Sequence, residues 1–159
     1  MVFRCVSVKR YFSNNYTIIS EETMEQEQEQ GTLPVVLAID DLPMNLRIIR
    51  VFLEKGFMVI PVKSGVEGLQ VLKTKTIDLI LLDIEMPGMS GFEFMQELKK
   101  IPSKKDVPVI CVTGLDPTPE FIIQVMNSGA KDFVTKPFEP EILKSKIYKA
   151  LNIRGYVTR

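Results

Sequence analysis

Two adjacent acids, Asp40 and Asp41, close one short apolar run, and a third acid, Asp83, closes another. Thr113 and Gly114 follow a third such run, and Lys136 stands just beyond a fourth, ahead of Pro137. The chain contains no histidine, so it cannot use that side chain as general base, zinc ligand or phosphoryl carrier. Carboxylates, lysine and hydroxyls must carry any chemistry. Three carboxylates brought together repel one another, raising their pKa values and straining the fold unless a cation sits among them. All-oxygen ligation without imidazole or thiolate suits a hard divalent ion, Mg2+ or Mn2+, which keeps several waters and completes its shell with phosphate oxygens. Lys136 would be a second cation there. A metal and a lysine beside a carboxylate form a pocket for a phosphoryl group in transfer, with Thr113 as hydroxyl donor and Gly114 leaving its backbone N–H open. An Asp in such a pocket can attack phosphorus and form an aspartyl phosphate.

Only a particular fold gathers these residues. From Leu33 onward, short apolar runs alternate with segments of helical period, the pattern of a parallel sheet covered on both faces. The runs predict strands at Val35 to Ile39, Phe57 to Pro61, Asp78 to Leu82, Val109 to Val112 and Asp132 to Val134. The intervening helices are expected from Pro43, with Gly56 as the stop, then over Val66 to Lys73, Gly91 to Lys100, Glu120 to Asn127 with Gly129 closing it, and Pro140 to Leu151. Right-handed crossovers favour a flavodoxin-like, doubly wound α/β/α sandwich with five parallel strands in the order 2-1-3-4-5. In such a sheet ligands bind at the carboxyl ends of the strands. Asp40, Asp41, Asp83, Thr113 and Lys136 all fall at that edge.

Composition narrows the remaining choices. Lys plus Arg number 20 and Asp plus Glu number 20, so no overall positive field exists to hold nucleic acid or an anionic membrane. No run reaches the roughly 18 apolar residues of a membrane span. Cys5 and Cys111 lie far apart, and both are taken as free thiols in a reducing compartment, most simply the cytosol. Residues 1–33 are expected to be a flexible extension: the first 20 are basic and suit a tail better than a transit peptide, and Glu21 to Gly31 is acidic and Gln-rich. Met24 is a second candidate start. Residues 34–151 are expected to form one domain and 152–159 a short tail.

Four segments, Val36-Leu-Ala-Ile-Asp-Asp41, Leu81-Leu-Asp-Ile-Glu-Met-Pro-Gly-Met-Ser-Gly91, Val112-Thr-Gly114 and Lys136-Pro-Phe138, resemble in order the motifs of response-regulator receiver domains. The resemblance covers about residues 34–151. It implies that Asp83 is the phosphoacceptor, that Asp41 binds Mg2+ directly and Asp40 mainly through water, and that the backbone carbonyl of Glu85 is a further ligand. Thr113 and Lys136 would contact the phosphoryl oxygens, and Phe133 would be the switch aromatic. The donor would be a sensor histidine kinase or a phosphotransfer protein. Output would pass to another protein through the face formed by helix four, strand five and helix five, since only residues 152–159 follow helix five. A monomer or weak dimer is expected, without enzymatic turnover beyond self-phosphorylation and self-dephosphorylation. Asp41-Leu-Pro-Met-Asn45 resembles the corresponding loop of receivers in hybrid kinases. Leu115 and Glu85 occupy lifetime-tuning places, and apolar Leu115 predicts slow self-dephosphorylation.

Plainer readings exist for each residue alone. Asp40 and Asp41 could cap helix one, Asp83 could end a strand in a turn, Lys136 could be a solvated loop residue, and Thr113 an ordinary strand-end hydroxyl. Phe133 is either a switch or a core aromatic. Two other classes compete: a pseudo-receiver acting as a constitutive interaction module, and a small Mg2+-dependent aspartyl-phosphate phosphatase, which would want an acid of the Asp type where Glu85 stands.

Overall fold

The computed structural model describes residues 33–114 and 117–153. The expectations for the N-terminal extension, for Leu115 and for most of the C-terminal tail fall outside these residues. Five strands alternate with five helices: β1 Val35–Ile39, α1 Pro43–Leu53, β2 Met58–Val62, α2 Gly65–Thr74, β3 Leu79–Asp83, α3 Gly91–Lys99, β4 Val109–Thr113, α4 Pro119–Asn127, β5 Asp132–Thr135 and α5 Pro140–Ala150. All strand pairs are parallel, in the order β2-β1-β3-β4-β5, as expected.

Period-two alternation along the central strands divides the core between the two faces of the sheet. Leu37 and Ile39 of β1 and Ile80 and Leu82 of β3 pack with Leu72 of α2 and Phe94, Met95 and Leu98 of α3. Val36, Ala38, Leu79 and Leu81 point the other way, onto Leu46, Ile49 and Leu53 of α1 and Leu143 and Ile147 of α5. β3 and β4 are buried at every position, which is why they read as unbroken apolar runs. Cys111 lies in this core, where burial pushes its thiol up to about 12 and leaves it unreactive at neutral pH. Among the described residues, no helix is long and apolar enough to cross a membrane.

Several boundaries differ from expectation for local reasons. Phe57 precedes β2 because its amide bonds to Leu53 O at 3.0 Å, closing the end of α1 instead of joining the ladder. Asp78 stops short of β3 and uses its carboxylate to accept the Val35 amide at 2.7 Å. Asp83 and Thr113 are the last residues of β3 and β4, not the first beyond them. Gly56 does not take a left-handed conformation, whereas Gly129, at φ 101°, does and closes α4 as expected. Neither Asp40 nor Asp41 caps α1: its N-cap is Leu42, which makes no side-chain cap bond.

Candidate functional site

Strand order alone assembles the site. β1 and β3 are neighbours, β4 lies beyond β3 and β5 beyond β4, so residues at their carboxyl ends form one row. Asp40 and Asp41 come from the end of β1, Asp83 from β3, Thr113 from β4, and Lys136 follows β5 directly. Carboxylate oxygens of Asp40, Asp41 and Asp83 lie within 4.8 Å of one another. Asp40, Asp83 and Thr113 are the buried polar residues of the described structure, while Asp41 is half-exposed.

Lys136 ties the row together. Its Nζ lies 2.7 Å from Asp40 Oδ2 and 2.5 Å from Asp83 Oδ2, and its own amide donates to Thr113 O at 2.7 Å. The peptide bond between Lys136 and Pro137 is cis. Asp83 Oδ1 accepts the Glu85 amide at 3.0 Å, so the carboxylate is held from both sides. Burial lifts the Asp83 pKa above the ordinary carboxylate value and the Asp40 charge adds to the rise, against the opposing pull of Lys136 and the Glu85 N–H. Burial would lower the Lys136 pKa, but its hydrogen bonds to Asp40 and Asp83 outweigh it and hold the ammonium above the ordinary lysine value.

Close backbone packing fixes the loop after β3. A Cβ on Gly91 would come within 2.5 Å of Asp83 O and 2.8 Å of Ile84 Cα, so only glycine permits α3 to start against the end of β3. Ser90 and Glu93 form a reciprocal capping box there, and the Ser90 N–H and hydroxyl hold the Glu93 carboxyl below the usual range. Gly114 is exposed beside Thr113, and the Glu85 side chain reaches toward it: Glu85 Oε2 would lie 3.7 Å from a Cβ at Gly114. Phe133 is half-buried on β5, with Lys146 Nζ 5.6 Å from its ring centroid; the same ammonium bonds Asp132 at 2.6 Å.

The structure thus brings together Asp40, Asp41, Asp83, Thr113 and Lys136, places Gly114 and Glu85 at their border, and sets Phe133 on the neighbouring strand. Sequence reasoning named Asn45 only as part of a loop resembling that of hybrid-kinase receivers and missed its contact: Nδ2 lies 3.0 Å from both oxygens of Asp40. It also missed the close approach of Gly91 and the Asp132–Lys146 pair. An Asn in the first turn of a helix, where it is a poor helix former, was the available signal for the first of these.

The donor set fits a hard divalent cation. Three carboxylates against one ammonium leave two negative charges in the cluster, and every donor is an oxygen.

The sequence matches the family described as response regulator receiver domain over residues 36–148. The sensor histidine kinase CheAY of Helicobacter pylori is 33% identical over 145 residues, which is 89% of this chain and 18% of that protein. The transcriptional regulatory protein YkoG of Bacillus subtilis is 36% identical over 124 residues, 77% of this chain and 53% of its own length. The chain therefore spans about half or less of these relatives. The solved structure of the chemotaxis protein CheY4 of Vibrio cholerae superposes with a TM-score of 0.71 at 29% identity, covering 76% of this chain and 100% of that one. Fold, strand-end acids and family match converge on one conclusion: the chain belongs to the response regulator receiver domain family, whose general function is that of a phosphorylation switch in two-component signalling.

Proposed function

We propose that residues 34–151 form a receiver that takes a phosphoryl group onto Asp83 from the phosphohistidine of a sensor kinase or phosphotransfer protein. The observation that carries this reading is the buried Asp83 carboxylate, held by Lys136 on one oxygen and by the Glu85 N–H on the other, beside two further carboxylates. Asp41 and Asp83, with the Glu85 carbonyl, would hold Mg2+ directly, Mn2+ being a substitute, and Asp40 would act mainly through water. A divalent ion bound there supplies positive charge to the phosphoryl oxygens. The Asp83 carboxylate attacks phosphorus in line, the P–N bond to the donor imidazole breaks, and the imidazole leaves with that electron pair. Lys136 and the Thr113 hydroxyl bind the phosphoryl oxygens, and the Gly114 amide lies open to them. Water later cleaves the acyl phosphate and returns the carboxylate.

Two surfaces suit partners of different kinds. On α1, Met44, Ile48 and Val51 are exposed at helical spacing next to the acids; this apolar stripe suits a helix of the phosphodonor. On the other side of the site, Ile123 and Met126 of α4 and Ile142 of α5 are exposed around β5, where Phe133 is the proposed switch. Phosphorylation would shift the population of arrangements on this face, which a downstream protein reads. A cytosolic location accords with the free thiol of Cys111.

The test is intact mass after incubation with an acyl phosphate, with and without Mg2+. A gain of one phosphoryl group that requires Mg2+ supports the reading. No gain in the presence of Mg2+ would leave the constitutive interaction module as the account of the fold.

A further inference from the structure

Asp40 is 1% exposed, and its carboxylate is filled with donors. Oδ1 accepts the Leu42 amide at 2.9 Å and Asn45 Nδ2 at 3.0 Å; Oδ2 accepts Asn45 Nδ2 at 3.0 Å and Lys136 Nζ at 2.7 Å. Three donor groups thus hold this carboxylate, and the Asn45 amide bridges both of its oxygens. So held, the buried carboxylate has one orientation. The amide of Asn45 must face it nitrogen first, since its oxygen would repel both acceptors.

Asn45 occupies the third position of α1, with its backbone amide already bonded to Leu42 O at 3.0 Å. Nothing in the helix asks for asparagine there: Asn is a weaker helix former than Ala, and the cap of α1 uses no side chain. The requirement comes from across the loop. Asp40 and Asp83 share the Lys136 ammonium, so the direction in which Asp40 points sets where that ammonium rests over Asp83.

We propose that Asn45 is a positioning residue: its amide locks the Asp40 carboxylate toward Lys136, and through Asp40 keeps the ammonium on Asp83 in the geometry that phosphoryl transfer needs. This rests on the reading of Asp83 as phosphoacceptor. Without the amide, both Asp40 oxygens lose the Asn45 N–H in a buried place. It can then rotate, draw Lys136 off Asp83, or compete with Asp41 for a cation.

A mutant cycle in the full chain tests it, using Asn45→Ala, Asp40→Asn and the double variant. Without Mg2+, urea unfolding is expected to show Asn45→Ala lowering the midpoint in the parent but leaving it unchanged or raised in the Asp40→Asn background, where Ala's better helix propensity is all that remains. With Mg2+ and saturating acyl phosphate, the first-order rate of phosphorylation should fall about tenfold for Asn45→Ala, the size of one lost hydrogen bond to a charged group. Half-saturation for the acyl phosphate should move less than about twofold, because the contact acts on the reacting carboxylate and not on donor binding. Equal effects of Asn45→Ala in both backgrounds, or a changed half-saturation with an unchanged rate, would overturn the proposal. If the parent protein takes no phosphoryl group at all, the reading of Asp83 fails, and the Mg2+-free cycle still decides whether Asn45 and Asp40 are coupled.

Discussion

Replacing Lys136 with Met removes one positive charge while keeping most of the apolar stem, and it exposes how the site is balanced. The ammonium bonds two carboxylates whose side chains are 1% and 4% exposed, and it is itself only 19% exposed. Removing one partner of a buried ion pair costs about 3–5 kcal/mol, because the charge left behind is neither paired nor solvated. Here two are left, close enough to repel, but part of the desolvation of Lys136 is recovered, so the lower end, about 3 kcal/mol, applies to the Mg2+-free protein. With a urea dependence of about 2 kcal/mol per molar for a domain of this size, the unfolding midpoint should fall by about 1.5 M. Adding Asp83→Asn to Lys136→Met should restore most of the loss, since one of the stranded charges is then gone. Circular dichroism across a urea series in EDTA reads the parent, each single variant and the double variant. A loss below about 1 kcal/mol, within the range of an ordinary surface ion pair, would refute the claim that Lys136 balances the acids. An equal loss on the Asp83→Asn background would do the same.

Other consequences follow from the same geometry. Because the folded-state pKa of Asp83 is raised, its ionisation opposes folding above that pKa and has no such effect below the ordinary value of 3.8. Asp83→Asn should therefore stabilise the Mg2+-free protein at neutral pH, and the gain should shrink as pH falls through the raised pKa; a gain independent of pH would contradict this. Gly91→Ala forces a Cβ against Asp83 O and Ile84 Cα, and should cost about 1–3 kcal/mol in urea unfolding while slowing acyl-phosphate phosphorylation. Unchanged stability would mean that the β3–α3 junction yields easily. Ile48→Glu places a charge in the exposed α1 stripe and should slow transfer from a phosphorylated kinase or phosphotransfer protein by about tenfold or more while leaving the small-molecule reaction alone; parallel slowing of both would put α1 outside donor recognition.

Much of this was legible in the sequence, for identifiable reasons. Buried parallel strands are apolar on both faces, so β1, β3 and β4 announced themselves, and Asp40, Asp83 and Thr113 were placed at their ends to within a residue. Strand ends were harder, because they depend on which amide joins which ladder. Phe57 looks like strand but spends its amide on α1, and Asp78 looks like strand but caps the start of β1. Long-range partners were least legible. Lys136 and Asp40 are 96 residues apart, and no periodicity tells that one ammonium spans two acids. Asn45 lies only five residues from Asp40, yet an asparagine two residues beyond a proline reads as loop chemistry until the direction of its amide is known. Gly91 looked like a helix start, and the reason it is glycine, the carbonyl of Asp83, became visible only in three dimensions.

The most direct test of the central claim is to locate the phosphoryl group. Borohydride reduces an aspartyl phosphate to homoserine, so protein phosphorylated in the presence of Mg2+, reduced, digested and sequenced by mass spectrometry should carry homoserine at position 83 and nowhere else. Homoserine at Asp40 or Asp41, or phosphate retained on a hydroxyl side chain with Asp83 unmodified, would contradict the account.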